Sequence, residues 1–238
     1  MARRFYLPQP LNPGTIRLEG AEAHHLSRVL RYQAGDEVTL FDGRGTEAHA
    51  RIESVTEGAV SLEVLSLSSK EKENSVVVTL ATAVPKGERF DWLVEKAVEL
   101  GVDRLVPLIT TRSVVNPGAG KLDRLRRTIV EASKQCGRSR LMELAEPLRW
   151  SDFFVASSAN QTIWVADPSG EPAPDVRSIN GNAITVAIGP EGGFTPPELE
   201  QACQAGARLV SIAPWILRIE TAAVAFAALI AAGVTKAD

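Results

Sequence analysis

The sequence predicts an α/β protein, a mostly parallel sheet with helices on both faces, preceded by a small β-rich domain. Three observations carry this. From Val76 onward, short apolar runs alternate with amphipathic stretches, the order of strand–helix–strand units. Up to Leu67 the runs instead alternate in polarity and are separated by glycine turns, the mark of hairpins. Between them, residues 68–75 (Ser-Ser-Lys-Glu-Lys-Glu-Asn-Ser) hold no apolar residue and read as a linker. A chain of 238 residues with 45% hydrophobic content has room for two domains and ample material for their cores.

In the first domain, Ala21 to Tyr32 reads as a helix ended by Gly35. Glu37 to Phe41 is a strand, and Asp42-Gly43-Arg44-Gly45 is a turn. Glu47 to Val55 and Ala59 to Leu67 are paired across Gly58. Short strands at this spacing suggest a small barrel. In the second domain, Val76 to Val84 is a continuous apolar run, suited to a strand buried on both faces. Gly87 to Leu100 places Phe90, Leu93, Val94, Ala97 and Val98 on one helical face, with Gly101 as the C-terminal cap. Arg104 to Ile109 is a strand, and Lys121 to Cys136 a helix with Leu122, Leu125, Ile129 and Ala132 inward. Thr162 to Ala166, Ala183 to Ile188 and Ala207 to Ile212 are strands, with the helix Pro197 to Ala205 between the last two. A final helix runs from about Thr221 to Ala232. It is apolar on every side, so it belongs in the core or in a subunit interface.

Bulk properties exclude several classes. The net charge of −3 is no nucleic-acid signal by itself, so such a role must rest on local patches. Cys136 and Cys203 stand far apart, which excludes a disulfide framework and fits a reducing compartment. His24, His25 and His49 form no metal signature, so no metal is expected. The N-terminus runs into Pro8, Pro10 and Pro13 rather than an apolar segment, and Ala222 to Ala232 is too short to cross a bilayer. A cytoplasmic protein without a membrane segment is the expectation. No GxxxxGK[ST], GxGxxG or GxSxG is present where a kinase, a dinucleotide-binding dehydrogenase or an α/β-hydrolase needs it.

Three stretches could carry chemistry. Ile188-Gly189-Pro190-Glu191-Gly192-Gly193-Phe194 leaves a strand and enters a helix capped by Thr195, Pro196 and Glu198. Such a turn brings bare backbone to the carboxyl edge of a sheet, where it meets a flat polar ligand; as a plain connection it needs glycine for its dihedrals alone. Ser211 to Ala222 holds Arg218 and Glu220, the only charges between Arg208 and Lys236. Charges beside so apolar a helix are either used in function or paired, with Glu220 complementing the helix dipole and Arg218 pairing with it. Lys121, Arg124, Arg126, Arg127, Lys134, Arg138 and Arg140 oppose only Asp123 and Glu131. Positions 124, 127, 134 and 138 share one helical side, either a nucleic-acid stripe or a solvated face. Arg3, Arg4, Arg17, Arg28 and Arg31 form a smaller excess near the N-terminus.

Together these stretches resemble the 16S ribosomal RNA uracil-N3 methyltransferase family of the SPOUT superfamily. The paired motifs are Gly189 to Phe194 and Ile216-Leu217-Arg218-Ile219-Glu220-Thr221-Ala222. Further matches include His25-Leu26 with Val29-Leu30-Arg31, and Asp42-Gly43 with Gly45. Lys86-Gly87-Glu88-Arg89, Glu95 to Gly101, Arg112-Ser113-Val114, and Glu131-Ala132 with Gln135 to Arg138 also match. The resemblance runs through nearly the whole chain in order.

It implies a PUA-like, RNA-binding β-barrel over residues 1–70. Over residues 74–238 it implies a methyltransferase domain whose sheet carries a trefoil knot. It implies S-adenosylmethionine as cofactor, held by Ala166, Ile188, Gly189, Gly193, Ile212, Ala213 and Leu217. The implied substrate is 16S ribosomal RNA or the small ribosomal subunit, and the implied assembly a homodimer. Arg218 is the candidate to stabilise charge on a deprotonated uracil. Glu220 is the candidate to orient Arg218 or accept the proton. Arg3, Arg28, Arg31, Arg112, Arg124, Arg127 and Arg138 are candidates to hold RNA. Where the family has glycine and arginine in a Leu-Gly-x-Arg-Ile-Leu-Arg pattern, this chain has Ala213 and Trp215. The alternatives are methylation of another RNA base or a ribose 2′-hydroxyl, and an RNA-binding ribosome-assembly factor without activity.

Overall fold

The computed structural model describes residues 3–69, 76–154, 161–178 and 182–234. The chain divides into two compact units, one of Met1–Glu73 with Val130–Leu141 and the other of Asn74–Ile129 with Met142–Asp238. Residues 70–75 of the expected linker lie outside the described residues, and Ser68 and Ser69 belong to a strand.

The first unit holds a five-stranded sheet built from β1 (Arg4–Tyr6), β2 (Thr15–Glu19), β3 (Glu37–Phe41), β4 (Thr46–Thr56) and β5 (Ala59–Ser69). Its order is β1-β3-β4-β5-β2, parallel only between β1 and β3. Alternation along the strands sends Val38, Leu40, Ala48, Ala50, Ile52, Val60 and Leu62 into one core with Phe5, Leu18 and Leu26. Two register shifts in the β4–β5 pairing let this sheet curl. β1 and β2 are missing from the sequence reading because three to five residues give too short a pattern.

The helix expected over Ala21 to Tyr32 is two pieces, α1 (Gly20–His24) and a π-helical turn, His25–Val29. Leu30 N–H reaches back to the His25 carbonyl at 3.0 Å, one residue further than an α-helix allows. Arg31 then takes a left-handed φ of 58°, so the helix stops before Tyr32. Residues 130–141 join this unit through local polar contacts. Lys134 pairs with Glu22, Arg4 donates to Ser139 Oγ at 3.0 Å, and Leu141 N–H bonds the Gly43 carbonyl at 3.0 Å.

The second unit is built on a seven-stranded, wholly parallel sheet. Its strands are β6 (Val77–Ala83), β7 (Arg104–Ile109), β8 (Glu143–Leu144), β9 (Leu148–Arg149), β10 (Thr162–Pro172), β11 (Ala183–Ile188) and β12 (Arg208–Ser211). The order is β12-β10-β11-β6-β7-β8, with β9 also on β7. Its helices are α2 (Arg89–Glu99), α3 (Ala119–Cys136, which runs on into the first unit's segment), α4 (Trp150–Phe153), α5 (Pro196–Gln204) and α6 (Ile219–Val234).

Helices cover both faces. On β10, Ile163 and Val165 join a core with Trp150, Phe153, Phe194 and Ala202, whereas Trp164 points the other way, toward Phe226 of α6. The inward residues expected on α2 and α3 are buried. α6 packs on α2, β6 and β11, and also on the turn Val176–Ser178 of the β10–β11 connection. A Cβ at Gly233 would come within 2.5 Å of Val176 Cβ, so only glycine permits that approach. The last helix is thus held between the sheet and an earlier connection, the threading that the resemblance implies. Among the described residues, no helix is long and apolar enough to cross a membrane.

Candidate active site

Three strands of the second unit end at one level. Ala166 of β10 pairs with Ile188 of β11 on one side and with Val210 of β12 on the other. The three loops leaving this line, joined by the start of α6, line one open cleft. Every residue expected to hold the cofactor lines it: Ala166, Ile188, Gly189, Gly193, Ile212, Ala213 and Leu217. Asp167, Glu191, Ser211, Trp215 and Phe226 line it as well. Glu191, Ser211 and Trp215 lie within the stretches already singled out, Asp167 follows Ala166 directly, and Phe226, a core-type position of α6, had no sequence signal. β10 continues past Ala166 through a bulge to Pro172. Gly170 sits where a Cβ would lie 2.5 Å from the backbone of Leu209 and Val210.

The glycine-rich loop is held from beneath and from the side. Gly193 N–H closes a turn on the Pro190 carbonyl at 2.8 Å, and Gly193 has φ +67°. A Cβ at Gly189 would stand 3.0 Å from the Phe194 ring, which packs on Trp150 with centroids 4.4 Å apart. Trp150 Nε1 donates to the Glu198 carbonyl at 3.1 Å. Arg112 Nη1 donates to the Gly192 carbonyl at 2.5 Å. Glu198 Oε2 accepts the Thr195 N–H at 2.8 Å and its hydroxyl at 2.9 Å, so the capping box read in the sequence is formed. Its Oε1 accepts the Thr111 N–H at 2.8 Å. Burial pushes the Glu198 carboxyl up, but the N–H groups of Thr111 and Thr195 outweigh it and hold the carboxyl below the usual glutamate range.

Arg218 is exposed, between Leu217 and Ile219 of the cleft wall, and among the described residues its side chain has no ion-pair or hydrogen-bond partner. The expected pairing of Arg218 with Glu220 is therefore not formed. The cation beside Glu220 is Arg89 of α2, with Nε 3.8 Å from Oε1. α2 packs against α6, and that contact brings the two together across 131 positions no local pattern could link. Glu220 is 12% exposed, and its Oε2 is buried with no hydrogen-bond partner among the described residues.

The candidate RNA residues are dispersed. Arg3, Arg28 and Arg31 are exposed in the first unit, Arg28 on the π-helical turn. Arg112 is spent on Gly192, and Arg124 pairs with Asp91 at 2.6 Å. Arg127 is exposed and, among the described residues, bonds only its own helix, at the Asp123 carbonyl. The single stripe expected on α3 is not continuous. Lys134 is 11% exposed between Glu22 and Glu131, and α3 ends at Cys136, where Gly137 takes φ +87°. Arg138 therefore lies off the helix, its carbonyl accepting from Arg4 Nη2 at 3.3 Å.

A threaded parallel sheet with a cleft at its strand ends, in a chain that also holds a curled β-domain, defines a SPOUT-type RNA methyltransferase. The family models agree: "RNA methyltransferase domain" matches residues 72–231 and "RNA methyltransferase PUA domain" residues 18–65. The ribosomal RNA small subunit methyltransferase E of a Synechocystis strain is 33% identical, over 93% of this chain and 75% of its own length. The crystal structure of the enzyme of that name from Neisseria gonorrhoeae, bound to S-adenosyl methionine, is 32% identical with a TM-score of 0.88, over 96% of each chain. A Legionella pneumophila methyltransferase solved with bound cofactor SAM is 30% identical with a TM-score of 0.85, over 98% of each chain. This chain belongs to the ribosomal RNA small subunit methyltransferase E family.

Proposed function

We propose that the protein transfers a methyl group from S-adenosylmethionine to N3 of a uridine in 16S ribosomal RNA of the small subunit. One observation carries the reading. The glycine-rich loop, the β12–α6 loop and the end of the β10 pairing meet around one cleft, with Arg218 at its edge. The lining suits the cofactor. Ile188, Ile212, Leu217 and Phe226 offer an apolar wall, and Asp167, Glu191 and Ser211 offer polar groups. Beyond Gly193, where a Cβ would meet nothing within 4 Å, the loop presents bare backbone.

When bound, the cofactor supplies an electrophilic methyl group. The chain's own residues prepare the nucleophile. A neutral uracil N3–H reacts poorly, and losing its proton leaves negative charge shared between O2 and O4. The guanidinium of Arg218, committed to no other described residue, stabilises that charge. Glu220 has an oxygen with no hydrogen bond among the described residues and serves as proton acceptor, with Arg89 positioning it. N3 lies on the pairing edge, so the base must leave its helix to be reached. The first unit, with Arg3, Arg28, Arg31 and Arg138, and the second, with Arg124 and Arg127, hold the RNA backbone, while Arg112 holds the glycine-rich loop at Gly192.

The protein acts in the cytoplasm, where its substrate is made, and as a homodimer. The outer side of α6, with Val224, Ala225, Ala228 and Leu229 only partly covered, supports an apolar contact between copies.

Calorimetric titration with S-adenosylmethionine, followed by mass spectrometry of small subunits treated with the protein, tests the reading. Saturable binding lost in Gly193→Trp but kept in Gly193→Ala is expected, because both variants bear the strain of a positive φ and only tryptophan fills the cleft. Methyl appearing on a ribose or another base would overturn the N3 assignment.

A further inference from the structure

We propose that Trp215 is the platform on which the target uracil stacks. The inference rests on reading the protein as a uridine methyltransferase. Trp215 lies in the loop between β12 and α6 and lines the cleft. Trp215 is 79% exposed and Ile216 beside it 84%. Of the four tryptophans, Trp150 and Trp164 are buried in the core and Trp92 is not part of the cleft wall. Among the described residues, no aromatic ring packs on Trp215. An indole is large and apolar, and one held at a cleft mouth without a partner is an open π-face.

The substrate's chemistry supplies what such a face takes. To expose N3, the uracil must leave its pairing partner and its stacked neighbours. An aromatic side chain restores one stacking face and reads no edge of the base. N3, O2 and O4 then remain free for Arg218 and Glu220, which lie three and five residues after Trp215 where the loop enters α6. Binding by the face and chemistry at the edge are thus divided within one short segment. Stacking also adds affinity without neutralising a phosphate, so this part of binding resists salt. Arginine at the same position would stack through its guanidinium plane and restore salt dependence.

The test compares full-length wild type with Trp215→Ala, Trp215→Phe and Trp215→Arg, on small subunits bearing the unmodified uridine. Trp215→Ala should raise KM for subunits about tenfold or more, the scale of one lost base–aromatic stack. Its affinity for S-adenosylmethionine should change less than its KM for subunits, and its sedimentation should match wild type. Trp215→Phe should recover most of the loss, and Trp215→Arg should recover it with a steeper salt dependence. Quenching of indole fluorescence by a uridine-containing RNA fragment, present in wild type and absent in Trp215→Phe, reads the stack without turnover. An unchanged KM in Trp215→Ala, or no quench in wild type, would overturn the proposal and leave the methyltransferase reading intact. Altered sedimentation of Trp215→Ala would also overturn it, by placing the indole in a contact between copies. If wild type bound and quenched but never methylated, the functional reading would fail while the stack stood.

Discussion

The carboxylate of Glu198 accepts the backbone N–H of Thr111 at 2.8 Å, and so ties the loop after β7 to the first turn of α5. Its second oxygen caps that same turn at Thr195. One buried side chain thereby fixes the helix that follows the glycine-rich loop. Its pKa is depressed in the fold, so its contribution is complete above the ordinary glutamate value of 4.5 and is lost as pH falls through the lower folded value. Glu198→Gln should destabilise the protein by about 1–3 kcal/mol near neutral pH. It should also remove part of the acid-side decline in stability, as urea unfolding at a series of pH values would record.

Gly189→Ala should weaken cofactor binding while leaving the sheet intact. The new Cβ would press on Phe194 at 3.0 Å, and that ring cannot retreat because Trp150 backs it. A loss of about tenfold in calorimetric affinity is expected, the scale of a misfit worth about 1.4 kcal/mol.

Arg218 bonds no described side chain, so its removal should spare stability and cofactor affinity alike. The methylation rate should fall by about 10²–10³, the range for losing one donor to a developing anion. Full turnover by Arg218→Ala on reconstituted small subunits would end its assignment.

Arg89 and Glu220 should behave as a coupled pair. Methylation rates of Arg89→Met, Glu220→Gln and the double variant form a cycle, with an expected interaction of about 0.5–3 kcal/mol. Strict additivity would show that Arg89 does not position Glu220.

Arg127 and Arg124 should differ in their effect on RNA binding. Arg127 has no acidic partner among the described residues, so Arg127→Ala should lower the salt slope of binding by about one. Arg124 is already paired with Asp91, and its loss should change the slope less. Filter binding across a salt series distinguishes the two.

The α/β alternation, the strands β3 to β7 and β11, the inward faces of α2 and α3, and the capping box were all legible in the sequence. Each is a pattern within about a dozen residues, imposed by 2.0- or 3.6-residue periodicity or by the chemistry of a turn. The residues expected around the cofactor could be listed from two motifs and a resemblance, but nothing local showed that they meet. β1, β2, β8 and β9 escaped because two to five residues cannot display a period. The π-helical turn at His25–Val29 escaped because its apolar spacing reads as an ordinary helix.

By itself the sequence determined the class of fold, the glycine positions and the candidates for chemistry, because those follow from side-chain type and short-range spacing. The tertiary structure alone decided which of them share a site. Pairing of Ala166 with both Ile188 and Val210 sets three loops around one cleft, and packing of α6 on α2 gives Glu220 to Arg89 rather than Arg218. Burial beside Glu22 likewise takes Lys134 out of the basic face. Strand order and helix packing depend on contacts distant in the chain, and their energies come from the whole core, which no short window of sequence contains.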